Sequence, residues 1–262
     1  MRIGLAGLGA IGSRVAQRLE QGLDGLVLAG IAVRDEKAAQ AKRAALGLRA
    51  PLVPLEQLCL RVDALLDCAS PAAFAGIAAA AIGARTMLVT VNAATLLEHM
   101  DLVERARAAG TRIIVPTGAL LGFDAVRAAA EGSIRSVRMI TRKPPKSLAA
   151  ALREQGREPS AQAERVFAGS ARDAARAFPS NVNVAAALSL AGIGPDGTEV
   201  EIWSDPAVER NTHTVEVDAE AARFTMTIAG VPSPENPATG LLTPLSVIAC
   251  LRGLVSPLKI GS

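Results

Sequence analysis

Apolar runs alternate with helical stretches along the first half of the chain. Short runs at 2–6, 26–33, 64–69, 86–91 and 112–115 predict strands, and the second run is apolar throughout, as expected for a strand buried on both faces. The segments between them place apolar residues at helical spacing, and glycines follow several of the predicted helices. Strands that alternate with helices predict a parallel, doubly wound sheet.

The second half of the chain has a different pattern. Three segments, at 198–203, 213–217 and 223–228, alternate with period two, and the last two predict a hairpin. Helices are predicted around them, including two helical stretches separated near Gly169 and one ending at Gly192. These elements predict an α+β domain with an open mixed sheet covered by helices on one face.

We therefore predict an α/β protein with two domains. A Rossmann-like domain at 1–119 precedes a substrate domain at 120–235, and a C-terminal helix at 236–262 packs back on the first domain.

Three glycines in "GLGAIG" follow the first predicted strand and open a helix. Gly7 permits the turn, Gly9 lets the backbone approach a pyrophosphate, and Gly12 lets helix and strand pack closely. Free N–H groups at a helix start favour an anion, so Ala10 and Ile11 are also expected to contact the cofactor. The spacing predicts a dinucleotide site.

The second strand ends in "AVRDE", which leaves the choice between NAD and NADP open. Arg34 can neutralise a 2′-phosphate, whereas Asp35 can accept hydrogen bonds from a free ribose. The alternative is a solvated charge pair at a helix start.

The chain has two histidines. His213 opens a predicted strand and shares a face with Val215 and Val217, which places it at the mouth of the buried face. Both a half-buried strand histidine and a catalytic acid–base fit this position. His99 lies among apolar residues of a predicted helix at 94–109, which favours a structural role.

Composition narrows the class of protein. The 28 basic and 25 acidic residues give a net charge of +3, and the basic residues are scattered, so no nucleic-acid partner is expected. Three cysteines without metal-ligand spacing predict neither a disulfide framework nor a metal site. No apolar stretch reaches the length of a membrane span, so we expect a cytoplasmic protein without a membrane partner.

Several longer motifs are more specific than the glycine fingerprint. With them the chain resembles the L-aspartate dehydrogenase family over nearly its whole length. The motifs are "GLGAIG" (7–12), "VPTGALLG" (115–122), "TRKPP" (141–145), the block 166–192, "RNTHTVEV" (210–217) and "PSPENPATG" (232–240).

The resemblance implies an NAD(P)-dependent amine dehydrogenase with a Rossmann-like domain and a catalytic domain. Carried over by motif, the family's active-site histidine falls on His213, and its nicotinamide-side contacts fall on Ala119 and Asn183. The implied reaction is oxidative deamination of L-aspartate to oxaloacetate and ammonia through iminoaspartate, and its reverse. One group with a pKa of about 6.5 can deprotonate the amine and activate water.

A dicarboxylate substrate needs cations or N–H donors. "TRKPPK" offers Arg142 and Lys143 on a loop predicted to follow a strand, and Asn181 at a helix start offers a neutral anchor. An exposed basic turn explains the cations equally well.

Two other functions stay open. The first is a related two-domain nicotinamide-dependent reductase of another amino-acid pathway, and the second is a non-catalytic dinucleotide sensor. The expected partners are small molecules and a second copy of the chain in a homodimer. The sequence also leaves open whether iminoaspartate is passed to NAD biosynthesis.

Overall fold

The computed structural model describes residues 1–178, 182–233 and 239–261. These residues form two compact units, one made of Met1–Gly118 with Thr243–Ile260 and the other of Ala119–Leu242 with residue 261. Each unit has its own five-stranded sheet.

The first unit is a parallel sheet with helices between its strands. The strands are β1 (Arg2–Ala6), β2 (Val27–Ala32), β3 (Ala64–Asp67), β4 (Met87–Thr90) and β5 (Ile113–Ile114), in the order β2-β1-β3-β4-β5. The helices are α1 (Ala10–Glu20), α2 (Glu36–Ala45), α3 (Leu55–Cys59), α4 (Phe74–Gly83), α5 (Ala93–Leu96) and α6 (Asp101–Ala108).

The second unit is a mixed sheet with helices. Its strands are β6 (Ile134–Lys143), β7 (Glu164–Ser170), β8 (Thr198–Ser204), β9 (Asn211–Ala219) and β10 (Arg223–Gly230), in the order β10-β9-β6-β8-β7. Only β6 and β8 pair in parallel among the described strands of this sheet. The helices are α7 (Phe123–Ala130), α8 (Pro145–Glu154), α9 (Ala171–Ala177) and α10 (Asn183–Ala191).

The last helix, α11 (Leu242–Gly253), contributes to the core of the first unit. Val247 and Leu251 are fully buried in the same cluster as Ile3, Leu5 and Leu66 of the parallel sheet. Each such side chain stabilises the unit by about 1.5–3 kcal/mol relative to an exposed position.

Every second residue of the central strands of the mixed sheet is buried, so one face of this sheet forms part of a core. On β6, β8 and β9 the inward residues are Val137 and Met139, Val200 and Ile202, and Val215 and Val217, all nearly inaccessible to solvent. Two-residue periodicity turns their sequence neighbours to the opposite face. The predicted α/β class, with its parallel sheet and second mixed sheet, is confirmed.

Local predictions failed in three places. The residues around Gly169 belong to strand β7, whereas a break between helices was predicted. Arg142 and Lys143 end strand β6 and Pro145 begins α8, so the predicted loop is wrong. The helix predicted at 94–109 is interrupted, and His99 lies between α5 and α6.

Among the described residues, no helix is both long and apolar enough to cross a membrane.

Candidate active site

The turn after β1 is built from backbone that only glycine can supply. Gly7 has φ +93°, in the left-handed region, and its amide donates to the carbonyl of Ala32 at the end of β2 at 2.9 Å. A Cβ on Gly7 would stand 2.8 Å from the backbone of Ala69, and one on Gly12 would overlap the carbonyl oxygen of Gly7. These contacts fix the turn tightly against β2 and β3.

A cavity of about 520 Å³ opens over this turn. It is lined by Ala6–Gly9, Ala32–Arg34, Leu55, Cys68–Ser70, Ala73, Gly76 and Ile77. Gly9 precedes α1 without any side-chain cap, and a Cβ built on it meets nothing within 4 Å. Ala10 and Ile11 are the first residues of that helix, whose free N–H groups and dipole favour an anion. The cavity therefore fits the pyrophosphate of a dinucleotide.

The two charged residues after β2 are placed differently. Arg34 lines the cavity. Asp35 caps α2, because its Oδ1 accepts the backbone N–H of Ala38 at 3.0 Å. The Asp35 carboxylate thus has a structural role that is independent of any ligand.

A buried carboxylate ties together the strand ends beside the cavity. Asp67 ends β3, and its Oδ2 accepts from the hydroxyl of Thr90 at 2.7 Å and from Nδ2 of Asn92 at 2.8 Å. Its Oδ1 accepts from the amide of Ala69 at 3.1 Å. Burial raises the Asp67 pKa above the ordinary value, and these three donors oppose that shift. The network holds the cavity-lining segment from Cys68 to Ser70.

In the second unit, His213 lies on the buried face of β9 and is 6% exposed. Its Nδ1 is 3.0 Å from Oγ1 of Thr141, the residue that pairs with it on β6. Burial, together with the nearby charge of Lys143, lowers the His213 pKa to about 3. The imidazole is therefore neutral in the folded chain at neutral pH.

Lys143 is the last residue of β6 and is 3% exposed. Burial lowers its pKa to about 8, since removal from water disfavours the ammonium form. The side chain remains mostly cationic at pH 7. A buried cation beside a neutral histidine is an arrangement suited to an anionic substrate.

Arg142 points to the opposite face of β6. Its guanidinium pairs with Asp205 at 2.9 Å and lies over the ring of Trp203, 4.8 Å from the ring centre. The strand's alternation therefore separates the two predicted substrate cations, and Lys143 shares the buried face with His213.

Two further predicted contacts, both cofactor contacts, belong to the second unit. Ala119 lies in a half-buried turn, and Asn183 is the first residue of α10. Asn181, predicted to anchor the substrate, lies outside the described residues.

Sequence reasoning missed the supporting side chains of both sites. An acid that ends the buried run "ALLD" is a local signal for Asp67, but Thr90 and Asn92 follow only from the neighbouring strand. Thr141 is 72 residues from His213 in sequence, so only strand register connects them. Within the described ranges no cluster of histidine, cysteine or acidic side chains could hold a metal ion.

Comparisons with known proteins place the chain in a family. A family model described as "Aspartate dehydrogenase, C-terminal" matches residues 124–254, and one described as "Homoserine dehydrogenase, NAD binding domain" matches residues 7–116. The L-aspartate dehydrogenase of Bradyrhizobium diazoefficiens is 47% identical, with 100% of this chain and 94% of the relative covered. The chain belongs to the aspartate dehydrogenase family.

Two further matches agree with this membership. L-aspartate dehydrogenase 3 of Bordetella bronchiseptica is 44% identical, over 99% of this chain and 97% of that protein. The crystal structure of aspartate dehydrogenase from Thermotoga maritima has a TM-score of 0.78 at 23% identity, covers 100% of this chain and 99% of that one, and shows the shared fold.

The open space above Gly9 predicts a selective loss of dinucleotide binding. In the Gly9→Ala variant, the added methyl group meets no protein atom within 4 Å. The melting temperature should therefore stay near the wild-type value. The methyl would stand where the glycine spacing predicts that a pyrophosphate approaches, so the Kd for NADH should rise roughly tenfold or more. Fluorescence titration with NADH measures this change.

Gly83→Ala is the matched control, since a Cβ at Gly83 also meets nothing within 4 Å and the residue does not line the cavity. Its Kd should equal that of the wild type. A Gly9→Ala variant that binds NADH normally would show that the pyrophosphate does not approach this turn.

The buried neutral state of His213 predicts acid destabilisation. The folded-state pKa of about 3 lies below the ordinary 6.5, so between these values the unfolded chain binds a proton that the folded chain excludes. The free energy of unfolding therefore has its full value, as far as this group is concerned, above pH 6.5. Below that pH it falls by up to about 1.4 kcal/mol per pH unit. Urea unfolding at pH 6.5 and 5.5, followed by fluorescence, measures this loss.

Trp203, the single tryptophan, lies on β8 and therefore reports on the second unit. His213→Gln removes the titrating group and should remove most of the difference between the two pH values. Equal losses in the variant and the wild type would assign the acid sensitivity to other groups.

Proposed function

We propose that this chain catalyses the NAD(P)-dependent oxidation of L-aspartate to oxaloacetate and ammonia through iminoaspartate, together with the reverse reductive amination. The observation that carries the proposal is the buried, neutral His213, hydrogen-bonded to Thr141 and beside the buried cation of Lys143. Relatives named L-aspartate dehydrogenase that span the whole chain support the choice of substrate.

His213 is the proposed acid–base. Thr141 occupies Nδ1, which leaves Nε2 as the ring nitrogen for the substrate. With the Nδ1 proton donated to Oγ1 of Thr141, Nε2 carries a lone pair that takes a proton from the substrate ammonium. Once the ring has released that proton, the same nitrogen removes a proton from the water that adds to the iminium carbon. It passes this proton to the amine and takes the remaining hydroxyl proton as the C–N bond breaks, so that ammonia and the ketone form.

A bound nicotinamide ring supplies the acceptor for the hydride that leaves the substrate α-carbon. The turn at Gly7 and Gly9 and the first N–H groups of α1 are proposed to hold the pyrophosphate, while Gly12 lets α1 pack closely against this turn. Ala119 and Asn183 are proposed as nicotinamide-side contacts on the family resemblance.

Lys143 is the proposed partner of a substrate carboxylate. It shares the buried face with His213, whereas Arg142 is engaged with Asp205 and Trp203 on the other face. An ammonium–carboxylate contact in a water-poor site is stronger than one at the surface. Arg142 and Asn181 are weaker candidates for the same task.

Loss of His213 tests the proposed function. His213→Ala should lower kcat for L-aspartate oxidation by about 10²–10⁴-fold, because the proton transfers lose their acid–base group. Absorbance of NADH or NADPH measures turnover in both directions. His99→Ala is the control. His99 lies in the first unit with its ring centre 6.0 Å from that of Phe74, and the variant should keep wild-type turnover.

Outcomes separate the competing functions. A wild type that binds NADH but turns over neither L-aspartate nor oxaloacetate with ammonium would favour a sensor or a reductase for another 2-oxo acid. A His213→Ala variant that keeps more than about a third of the wild-type kcat would exclude the assigned acid–base.

Both nicotinamide cofactors are proposed to serve the enzyme. Arg34 lines the cavity, where a guanidinium can pair with a 2′-phosphate, and Asp35 is held as the cap of α2. A contact at an exposed rim contributes about 1–2 kcal/mol, so the preference between cofactors is modest. A cytoplasmic location and a homodimer also remain predictions.

Arg34→Ala should shift the preference toward NADH by roughly 5- to 30-fold, because the pairing with the 2′-phosphate is lost while the pyrophosphate site stays intact. The measurement is the ratio of kcat/KM for NADPH and NADH in the variant and the wild type. Lys37→Ala is the control, a nearby exposed cation of α2 that does not line the cavity. A ratio unmoved by Arg34→Ala would make this arginine a solvated charge at a helix start.

A further inference from the structure

The buried face of the mixed sheet changes from apolar to polar at one end. Strand pairing sets Met139 beside Val215 and Val200, three apolar residues that belong to the core. The next inward position on β6 is Thr141, which pairs with His213. One further inward step along β6 reaches Lys143, so the polarity rises steadily toward the end of the strand.

Two more polar side chains flank Lys143. Ser204 of β8 pairs with Lys143 in the parallel register and is 0% exposed. On the other side, Arg142 pairs with Thr212, so the next position of the antiparallel register brings Asn211 beside Lys143. Asn211 is 8% exposed and shares the inward face with His213. Asn211, Lys143 and Ser204 thus form a row across three strands, which we call the polar row.

The polar row contains hydrogen-bonding atoms that the protein does not use. Oγ of Ser204 and Oδ1 of Asn211 are inaccessible to solvent and have no hydrogen-bond partner among the described residues. The described part of the chain has only one other such side-chain atom, Nε of Arg43 in the first unit. Leaving a buried polar atom unpaired costs free energy, so two such atoms in one row point to a ligand that pairs with them.

The two atoms differ in what they can bind. A serine hydroxyl donates well to a carboxylate, and Ser204 would do so beside the ammonium of Lys143. The amide oxygen of Asn211 is an acceptor, which needs an N–H or O–H donor. A substrate ammonium or iminium group carries such N–H donors and lies at the atom on which His213 is proposed to act.

We propose that Ser204 and Asn211 complete the substrate subsite, with Oγ of Ser204 donating to a substrate carboxylate and Oδ1 of Asn211 accepting an N–H of the substrate amine. The assignment rests on the proposed function for the identity of the substrate. It adds a recognition element for the amine itself, which separates an amino acid from a dicarboxylate of the same length.

Binding of two matched ligands tests this subsite. Succinate has both carboxylates of L-aspartate but no amine, and saturating NADH allows neither ligand to react. Calorimetric titration should show that Ser204→Ala raises the Kd of both ligands about tenfold or more. Asn211→Ala should raise the Kd of L-aspartate by a similar factor and leave that of succinate within about twofold.

Stability provides a second, independent readout. Because the Ser204 hydroxyl has no partner among the described residues, Ser204→Ala should melt at or above the wild-type temperature while it binds more weakly. Ser189→Ala is the matched control, a fully buried serine of α10 whose hydroxyl donates to the carbonyl of Ala186, and both Kd values should be unchanged. If Asn211→Ala does not fold, Asn211→Ser, which is too short to reach the same donor, takes its place.

The results separate this subsite from the function on which it rests. Wild-type turnover of L-aspartate with unchanged Kd values in Ser204→Ala overturns the subsite alone. The expected pattern of Kd values in a wild type without turnover supports the subsite and overturns the function. Equal weakening of succinate and L-aspartate by Asn211→Ala, or a lowered melting temperature of Ser204→Ala with unchanged binding, overturns the assigned roles.

Discussion

The burial of a lysine beside a histidine is the constraint on which the second unit's site depends. Lys143 and His213 are 3% and 6% exposed, and removal from water lowers both pKa values, to about 8 and about 3. Like charges in a poorly solvated interior repel far more strongly than in water. The folded chain therefore holds one positive charge here and keeps the imidazole neutral.

Strand register builds this arrangement from residues that are distant in sequence. Thr141 and Lys143 lie two positions apart on β6 and so share a face, while Arg142 between them turns to Asp205 on the other side. A slip of one residue would exchange the two cations and place an arginine in the core. The apolar inward residues further along β6, such as Val137 and Met139, oppose that slip because their burial depends on the same parity.

Local sequence patterns were enough to predict the structural features that depend on residues close together in sequence. The alternation of strands and helices predicted the parallel sheet, the glycine spacing predicted the turn after β1, and two-residue parity placed His213 on a buried face. Strand β7 was missed because it lies at the sheet edge and shows little inward–outward contrast. The partner of His213 and the polar row were beyond prediction, since they follow from pairings between strands 60 or more residues apart.

The charges near His213 also determine how readily its imidazole accepts a proton. Without substrate, a histidine with a pKa of about 3 is a weak base toward an ammonium group at neutral pH. Burial is the main cause of the low His213 pKa, and the charge of Lys143 adds to it. In the proposed mechanism a substrate carboxylate pairs with Lys143, and its negative charge opposes the lysine's part of that shift. Under this proposal the imidazole gains basicity when the carboxylate is bound, which favours proton abstraction with the substrate in place. In the same proposal the buried lysine acts on the base as well as on the ligand.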